Sequence, residues 1–293
     1  MLKLRQFRVG ESMTAYLMLL PNLILMCLFL FWPIVYAFYV SLHDWSGLGS
    51  MHYIGFDNYI KIWGEQDFWQ SLWISAKYSL AYVPSVFVLA LLLALLVKSI
   101  NGFPQKLFRT VYFLPYSISL VAGSLVWTFM YDPTRGYFNR ILTLLGLPPQ
   151  DFLVSMDQAL YSVTVLGLWH IVGFNMIIFL ASLKDIPTSY YEAAKMDGAS
   201  SMRMFFTITF PLLRNTNVFI LIVTIIGSLQ VFDQIKIMTE GGPANSTNVT
   251  VLYIYNQAFQ INQIGYSTSV AFVLFFIIMT LTLIQLKVTS GNE

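Results

Sequence analysis

The chain has 293 residues, 57% of them hydrophobic and only 10% charged, with a mean hydropathy of +0.67 and a formal net charge of +2. Soluble globular chains are about 45 to 50% apolar and about 25% charged, so this composition excludes an ordinary water-soluble fold. So small a charge supplies no basic field and excludes nucleic acid as a partner.

A helix crosses about 30 Å of hydrocarbon with about 20 mostly apolar residues, and six stretches reach that length. The first runs from about Ala15 to Val40. Lys3, Arg5 and Arg8 precede it as they would a secretory signal. Its apolar run far exceeds the roughly 7 to 15 residues of a signal core and lacks a small-residue cleavage site, so it reads as a span. Cys27 lies within it and reads as a small packing hydrophobe with no internal disulfide partner. Trp45 and Trp63 follow in an outer loop, and Trp69 and Trp73 sit beside the second span, Leu72 to Val97, as an interfacial aromatic belt would place them. The remaining spans are expected at Thr110 to Tyr131, Leu160 to Leu183, Val218 to Ile237 and Tyr266 to Leu286. The fold class is therefore an all-α polytopic membrane protein with six transmembrane helices in a lipid bilayer. Residues 1–14 and 287–293 form its ends, 15–71 the first span and outer loop, and 72–286 a five-helix domain with a polar loop at 184–215.

Short loops rich in Lys and Arg stay in the cytoplasm. Placing the N-terminus inside gathers Lys3, Arg5, Arg8, Lys98, Lys106, Arg109, Lys184, Lys195, Arg203, Arg214 and Lys287 on that side, against Lys61, Arg135 and Arg140 outside. Both termini are therefore expected in the cytoplasm. Lys77 and Lys236 fall near outer span ends, where long side chains snorkel to water.

No G-x-x-x-x-G-K-[ST] phosphate loop occurs, so the chain is not expected to hydrolyse ATP. His43, His52 and His170 have no acidic neighbours at ligand spacing, so no metal site is expected. No Ser-His-Asp or paired-carboxylate pattern supports an intramembrane enzyme.

Between the fourth and fifth spans, Pro187 suits the first turn of a helix, Ser189 with Glu192 reads as a capping box, and Ala193 and Ala194 favour helix. Gly198 can then take positive φ and stop it. A second short helix is expected from about Ser201 to Pro211, which opens the fifth span. These residues alone equally describe a capped hairpin lying on the membrane surface.

The run Glu192-Ala193-Ala194, three residues, Gly198, nine residues, then Ile208-Thr209-Phe210-Pro211 resembles the EAA loop of bacterial ABC-importer permeases, with Phe210 where Leu is usual. Phe56-Asp57-Asn58-Tyr59, Phe113-Leu114-Pro115 and Met238-Thr239-Glu240-Gly241-Gly242-Pro243 with Asn245-Ser246-Thr247 resemble segments of the carbohydrate branch, which includes maltose and glycerol-phosphate permeases. Read from the residues, Gly241-Gly242-Pro243 is a turn.

The resemblance implies a type I ABC importer transmembrane domain in the bacterial inner membrane. Its implied partners are a second homologous permease subunit, commonly making a heterodimer, two ATPase subunits that hold ATP and Mg, and an external solute-binding protein. The implied substrate is a sugar or oligosaccharide, and this chain holds no cofactor of its own. Glu192, Ala193, Ala194, Gly198, Ile208 and Pro211 would belong to the ATPase-coupling loop, where small side chains let a partner approach closely. Glu192 would pair with a basic residue of the ATPase, cap its own helix, or do both.

Polar and aromatic groups at midplane depth mark a substrate path. The fourth span offers Trp169, His170, Phe174 and Asn175, and the fifth Thr224, Ser228, Gln230 and Asp233. By position, sugar contacts of the maltose permease correspond to Gly167, His170, Ile171 and Phe174, then Thr224, Gly227, Ser228 and Val231. Each set falls at i, i+3, i+4, i+7 on one helical face. Few identities agree, so maltose itself is not implied. The expected contacts are stacking on Phe174 and hydroxyl bonds to His170, Thr224 and Ser228. Against this, Ser and Thr in a span often bond their own backbone, a lone His often satisfies a neighbouring helix, and Asp233 has Lys236 within pairing reach. The competing class, an ion-gradient transporter, calls for deep acidic residues in several spans and inverted repeats, which the sequence does not clearly show.

Overall fold

The computed structural model describes residues 9–290, and the expectations for Lys3, Arg5, Arg8 and the last three residues lie outside them. The chain divides into two compact units. One comprises the N-terminal residues to Gly64 with Ile254–Val273, and the other comprises Glu65–Tyr253 with the C-terminal residues from Leu274.

In the first unit, α1 (Val9–Met26), a π-helical turn (Cys27–Phe31) and α2 (Trp32–Ser41) run on as one apolar rod. Its residues from Tyr16 to Ser41 are long enough to span a membrane, and almost none is buried within the chain. Two short strands follow, β1 (His43–Asp44) and β2 (His52–Tyr53), paired antiparallel with His43 opposite Tyr53. The next helix is α3 (Asp57–Gly64). Asn58 on α3 is the clasp: its Nδ2 donates to the carbonyls of Ser41 at 2.9 Å and His43 at 3.0 Å. Tyr59 adds a 2.7 Å hydroxyl pair with Ser41 Oγ. An amide that saturates two carbonyls at a strand end explains why this segment needs Asn.

The second unit opens with α4 (Gln66–Lys98) and α5 (Phe103–Phe113). A 3₁₀ turn (Leu114–Ser117), α6 (Leu120–Met130) and α7 (Tyr137–Leu144) follow, then α8 (Ala159–Asp185). The hairpin comprises α9 (Thr188–Met196), α10 (Ser201–Met204), a π-helical turn (Phe205–Thr209) and α11 (Phe210–Leu212). Beyond it come α12 (Arg214–Leu229) and α13 (Asp233–Met238). Helices α14 (Thr250–Phe259) and α15 (Ile264–Ser290) complete the chain.

The core of this unit is α4 against α8. Ala90 and Ala94, one turn apart on α4, are fully buried against a cluster that includes Met176, Phe179, Leu180 and Leu183 on α8 and Ile220 on α12. Helices in lipid gain little from apolar burial, so small residues that permit close packing hold them together. A second close crossing joins α8 to α5, where a Cβ on Gly173 would overlap the Tyr112 carbonyl.

Two expected spans differ from straight helices. The third bends by 95° between Ser117 and Leu120. Pro115 lies in the 3₁₀ turn, and Ile118 and Ser119 take extended ψ of 138° and 127°, which ends one helix and starts another. The fifth breaks after Leu229, and Phe232 leaves helical geometry at φ −143°, ψ −60° before α13 begins. Among the described residues, five helices are long and apolar enough to cross a membrane, or six if the bent pair counts as one span.

Candidate functional site

A cavity of about 310 Å³ lies in the second unit between α4, α8, α12 and α13. His170, Phe174 and Asn175 of α8 line it with Thr224 of α12, Gln230 of the break and Asp233 at the start of α13. The break places Gln230 and Asp233 there, because both are exposed where an unbroken helix would carry them onward. His170 Nε2 sits 3.2 Å from the Ile118 carbonyl, a group freed by the bend in the third span. Phe174 stacks on Tyr116 with centroids 4.4 Å apart. Asn175 Nδ2 donates to the Ile171 carbonyl at 3.2 Å. Thr224 makes no hydrogen bond to another described residue, which leaves its hydroxyl available at the cavity wall.

Two residues named from the sequence lie elsewhere. Trp169 packs against α6, its ring 5.5 Å from that of Trp127, because one residue along a helix turns the side chain about 100° from His170. Ser228 is fully buried with its Oγ 2.8 Å from both the Ile225 carbonyl and Ser79 Oγ, donating to the carbonyl and pairing with the Ser79 hydroxyl, so it joins α12 to α4. Gly227 lines the cavity in its place.

The sequence reading passed over α4, which supplies Tyr78 and Tyr82. Their rings stack at 5.2 Å, and Gln234 Nε2 donates to the Tyr78 hydroxyl at 2.6 Å. The tyrosine pair at i, i+4 on one face of the second span was the available signal.

The hairpin is built locally. Gly198 takes φ +73°, its N–H donates to the Lys195 carbonyl at 3.0 Å, and the Ala199 N–H donates to the Ala194 carbonyl at 2.9 Å. These are the two bonds of a Schellman motif. The expected capping box does not form. The helix starts at Thr188 with Pro187 as the N-terminal flanking residue, φ −59°, ψ 134°, which moves Ser189 and Glu192 inward from the capping positions. Glu192 makes no hydrogen bond or ion pair with the other described residues, and Glu192, Ala193 and Gly198 are exposed. The second helix is capped by Ser200, whose Oγ accepts from the Arg203 N–H at 3.4 Å. It does not run unbroken to Pro211 but passes through the π-helical turn containing Ile208 into α11, which ends at the buried Leu213. Tyr191 ties the two arms by a 3.0 Å hydroxyl contact with Thr209. Lys98 Nζ donates to the Leu183 carbonyl at 3.0 Å and lies 5.1 Å from the centroid of the Tyr191 ring, so α4, α8 and α9 share one cation.

Residues 86–288 match the family described as binding-protein-dependent transport system inner membrane component. A protein of Pyrococcus horikoshii named as a probable ABC transporter permease is 34% identical over 273 residues, 91% of this chain and 92% of that one. The trehalose/maltose transport system permease protein MalF of Thermococcus litoralis is 30% identical over 97% of this chain and 96% of its own. In the crystal structure of a bacterial alginate ABC transporter in complex with an alginate pentasaccharide-bound periplasmic protein, a chain superposes with a TM-score of 0.84. The two are 24% identical and each is covered over 94%.

The fold is therefore that of a type I ABC importer transmembrane domain. The chain belongs to the family of binding-protein-dependent transport system inner membrane components, and it is an ABC importer permease subunit of a multi-pass membrane transporter, not an enzyme.

Proposed function

We propose that this permease imports a saccharide, delivered by an external solute-binding protein, through a path it forms with a second homologous permease subunit, driven by two ATPase subunits that bind ATP and Mg. Relatives named for trehalose/maltose and for lactose support the saccharide. The Lys and Arg distribution supports cytoplasmic termini and, with them, a hairpin that faces the ATPase subunits.

The observation that carries the reading is the hairpin. Helix α8 ends at Asp185, just before α9, and α12 starts at Arg214, directly after α11. A push on the hairpin therefore reaches α8 and α12, two of the four helices that line the cavity. The Schellman motif and the Tyr191 to Thr209 tie make the hairpin stiff, and Glu192, Ala193 and Gly198 leave its outer surface open to a partner. Glu192, which has no partner among the described residues, is the group to pair with a basic ATPase residue. In the path, His170, Asn175, Thr224, Gln230 and Asp233 bind saccharide hydroxyls, and Phe174 packs an apolar sugar face.

The test is uptake of labelled maltotriose and trehalose by proteoliposomes carrying both permeases, the ATPases and the binding protein. Uptake is expected with ATP on the ATPase side and none with an ion gradient alone. Gradient-driven uptake without the ATPases would overturn the reading.

A further inference from the structure

The residues around the 310 Å³ cavity include one carboxylate, Asp233, and no Lys or Arg. Asp233 is exposed and makes no hydrogen bond or ion pair with other described residues. Lys106 and Arg109 line a different cavity, with Thr110, Phe113 and Ile177. The ring contact of Phe113 with Tyr116, and the stack of Tyr116 on Phe174, put an aromatic layer between the two spaces. An oxyanion brought to the Asp233 carboxylate meets like-charge repulsion with no Lys or Arg in the described lining to offset it, whereas a neutral hydroxyl can donate to it.

The opposite wall is aromatic and polar. Tyr82 of α4 is half-buried, lines the cavity, and makes no hydrogen bond to another described residue. Tyr78 beside it is 1% exposed, and the bond from one Gln234 Nε2 N–H fixes the orientation of that amide, whose Oε1 is its acceptor. The arrangement depends on Gly167. A Cβ there would lie 2.9 Å from the Tyr78 hydroxyl, 2.9 Å from Tyr82 Cε2 and 3.0 Å from Gln234 Nε2. One end of the α8 face is thus filled by the tyrosine pair and Gln234, whereas Gly227 on α12 has nothing within 4 Å of its Cβ position and stays open. The open volume lies between Tyr82, Gly227 and Asp233.

We propose, resting on the saccharide reading above, that this cavity selects uncharged saccharides. Tyr82 is the stacking platform, the Tyr78 to Gln234 pair positions an acceptor for sugar hydroxyls, and Asp233 excludes carboxylated, sulfated or phosphorylated sugars. Tyr82 and Asp233 touch the saccharide. Tyr78 and Gly167 act through Gln234.

The binding protein also selects cargo, so the test omits it. Saturation-transfer NMR on the complete permease and ATPase complex in nanodiscs compares maltotriose with trigalacturonate. Maltotriose is expected to bind at least about tenfold more tightly, a gap of about 1.4 kcal/mol. Asp233→Asn, which keeps a hydrogen-bonding side chain but removes the charge, should close that gap by strengthening trigalacturonate by a larger factor than it weakens maltotriose. Tyr82→Ala should weaken maltotriose about tenfold, and Tyr82→Phe, which keeps the ring, should restore most of it. Trigalacturonate binding as tightly as maltotriose, binding of neither, or a gap indifferent to Asp233→Asn each overturns the inference. The uptake experiment decides the saccharide reading separately. Saccharide uptake alongside equal binding of the two probes would sink the selection and leave the parent reading standing.

Discussion

The hairpin and the cavity are held together in opposite ways. The bonds that shape the hairpin itself fall between Pro187 and Leu213: a glycine at positive φ, two short capping bonds, and one hydroxyl tie from Tyr191 to Thr209, with Lys98 over the Tyr191 ring as its contact to α4. The cavity draws Tyr78 from α4, His170 from α8, Thr224 from α12 and Gln234 from α13, and its key bond joins residues 156 positions apart. A part that must move as a unit is best defined locally, because its shape then survives a shift against the rest of the chain. A part that must open and close is best assembled from several helices, because small displacements then change its shape.

If that contrast is right, the cavity frame should be the more fragile of the two. Gly173→Leu should have the largest effect, since even a Cβ there overlaps the Tyr112 carbonyl and α5 cannot cross α8. A cost above about 3 kcal/mol is expected for such overpacking and backbone displacement, read as loss of monodisperse protein after extraction. Normal yield would show that the crossing can relax.

Gly198→Val should be milder in folding, because nothing lies within 4 Å of its Cβ position and only the positive φ is strained, at about 1 to 2 kcal/mol. Gly198→Asn, which tolerates that φ, should recover the stability. A large loss of protein in both variants would mean the hairpin is not local after all.

Tyr191→Phe removes the contact with Thr209 and should lower stability by about 1 kcal/mol. Its transport per ATP should fall more than its thermal midpoint suggests, because the arms lose their tie. Ser200→Ala removes a long cap bond of 3.4 Å and should cost at most about 0.5 kcal/mol, with transport retained. A Ser200→Ala defect larger than that of Tyr191→Phe would reverse the assignment of stiffness within the hairpin.

The same contrast governs how much was legible in the sequence. The hairpin's place, its glycine stop and its second short helix can be read from Gly198 and the Ser200-Ser201 start, since caps are local chemistry. Its first cap was misread because the helix starts at Thr188, two residues before the start that a Ser189 cap requires, which puts Ser189 and Glu192 two positions inward of the capping box. The spans are legible by length, but the bend at Ser117–Leu120 and the break at Gln230–Phe232 arise where tertiary packing accommodates freed backbone groups, and hydropathy does not register them. Of the residues named for the path, His170, Phe174, Asn175, Thr224, Gln230 and Asp233 come together. Trp169 and Ser228 do not, because helical periodicity alone cannot tell which face meets α4 or α6. Tyr78 and Tyr82 were missed for the same reason: a face is polar in effect only once its neighbour is known.

The claim that the hairpin transmits force to α8 and α12 is tested most directly by counting saccharide molecules imported per ATP hydrolysed in proteoliposomes bearing Gly198→Asn. The cap survives in this variant, while a side chain now occupies the exposed surface where a partner must approach. Hydrolysis is expected to continue and the import ratio to fall at least about tenfold, a loss of about 1.4 kcal/mol in coupling. An import ratio equal to that of the unaltered chain would contradict the account.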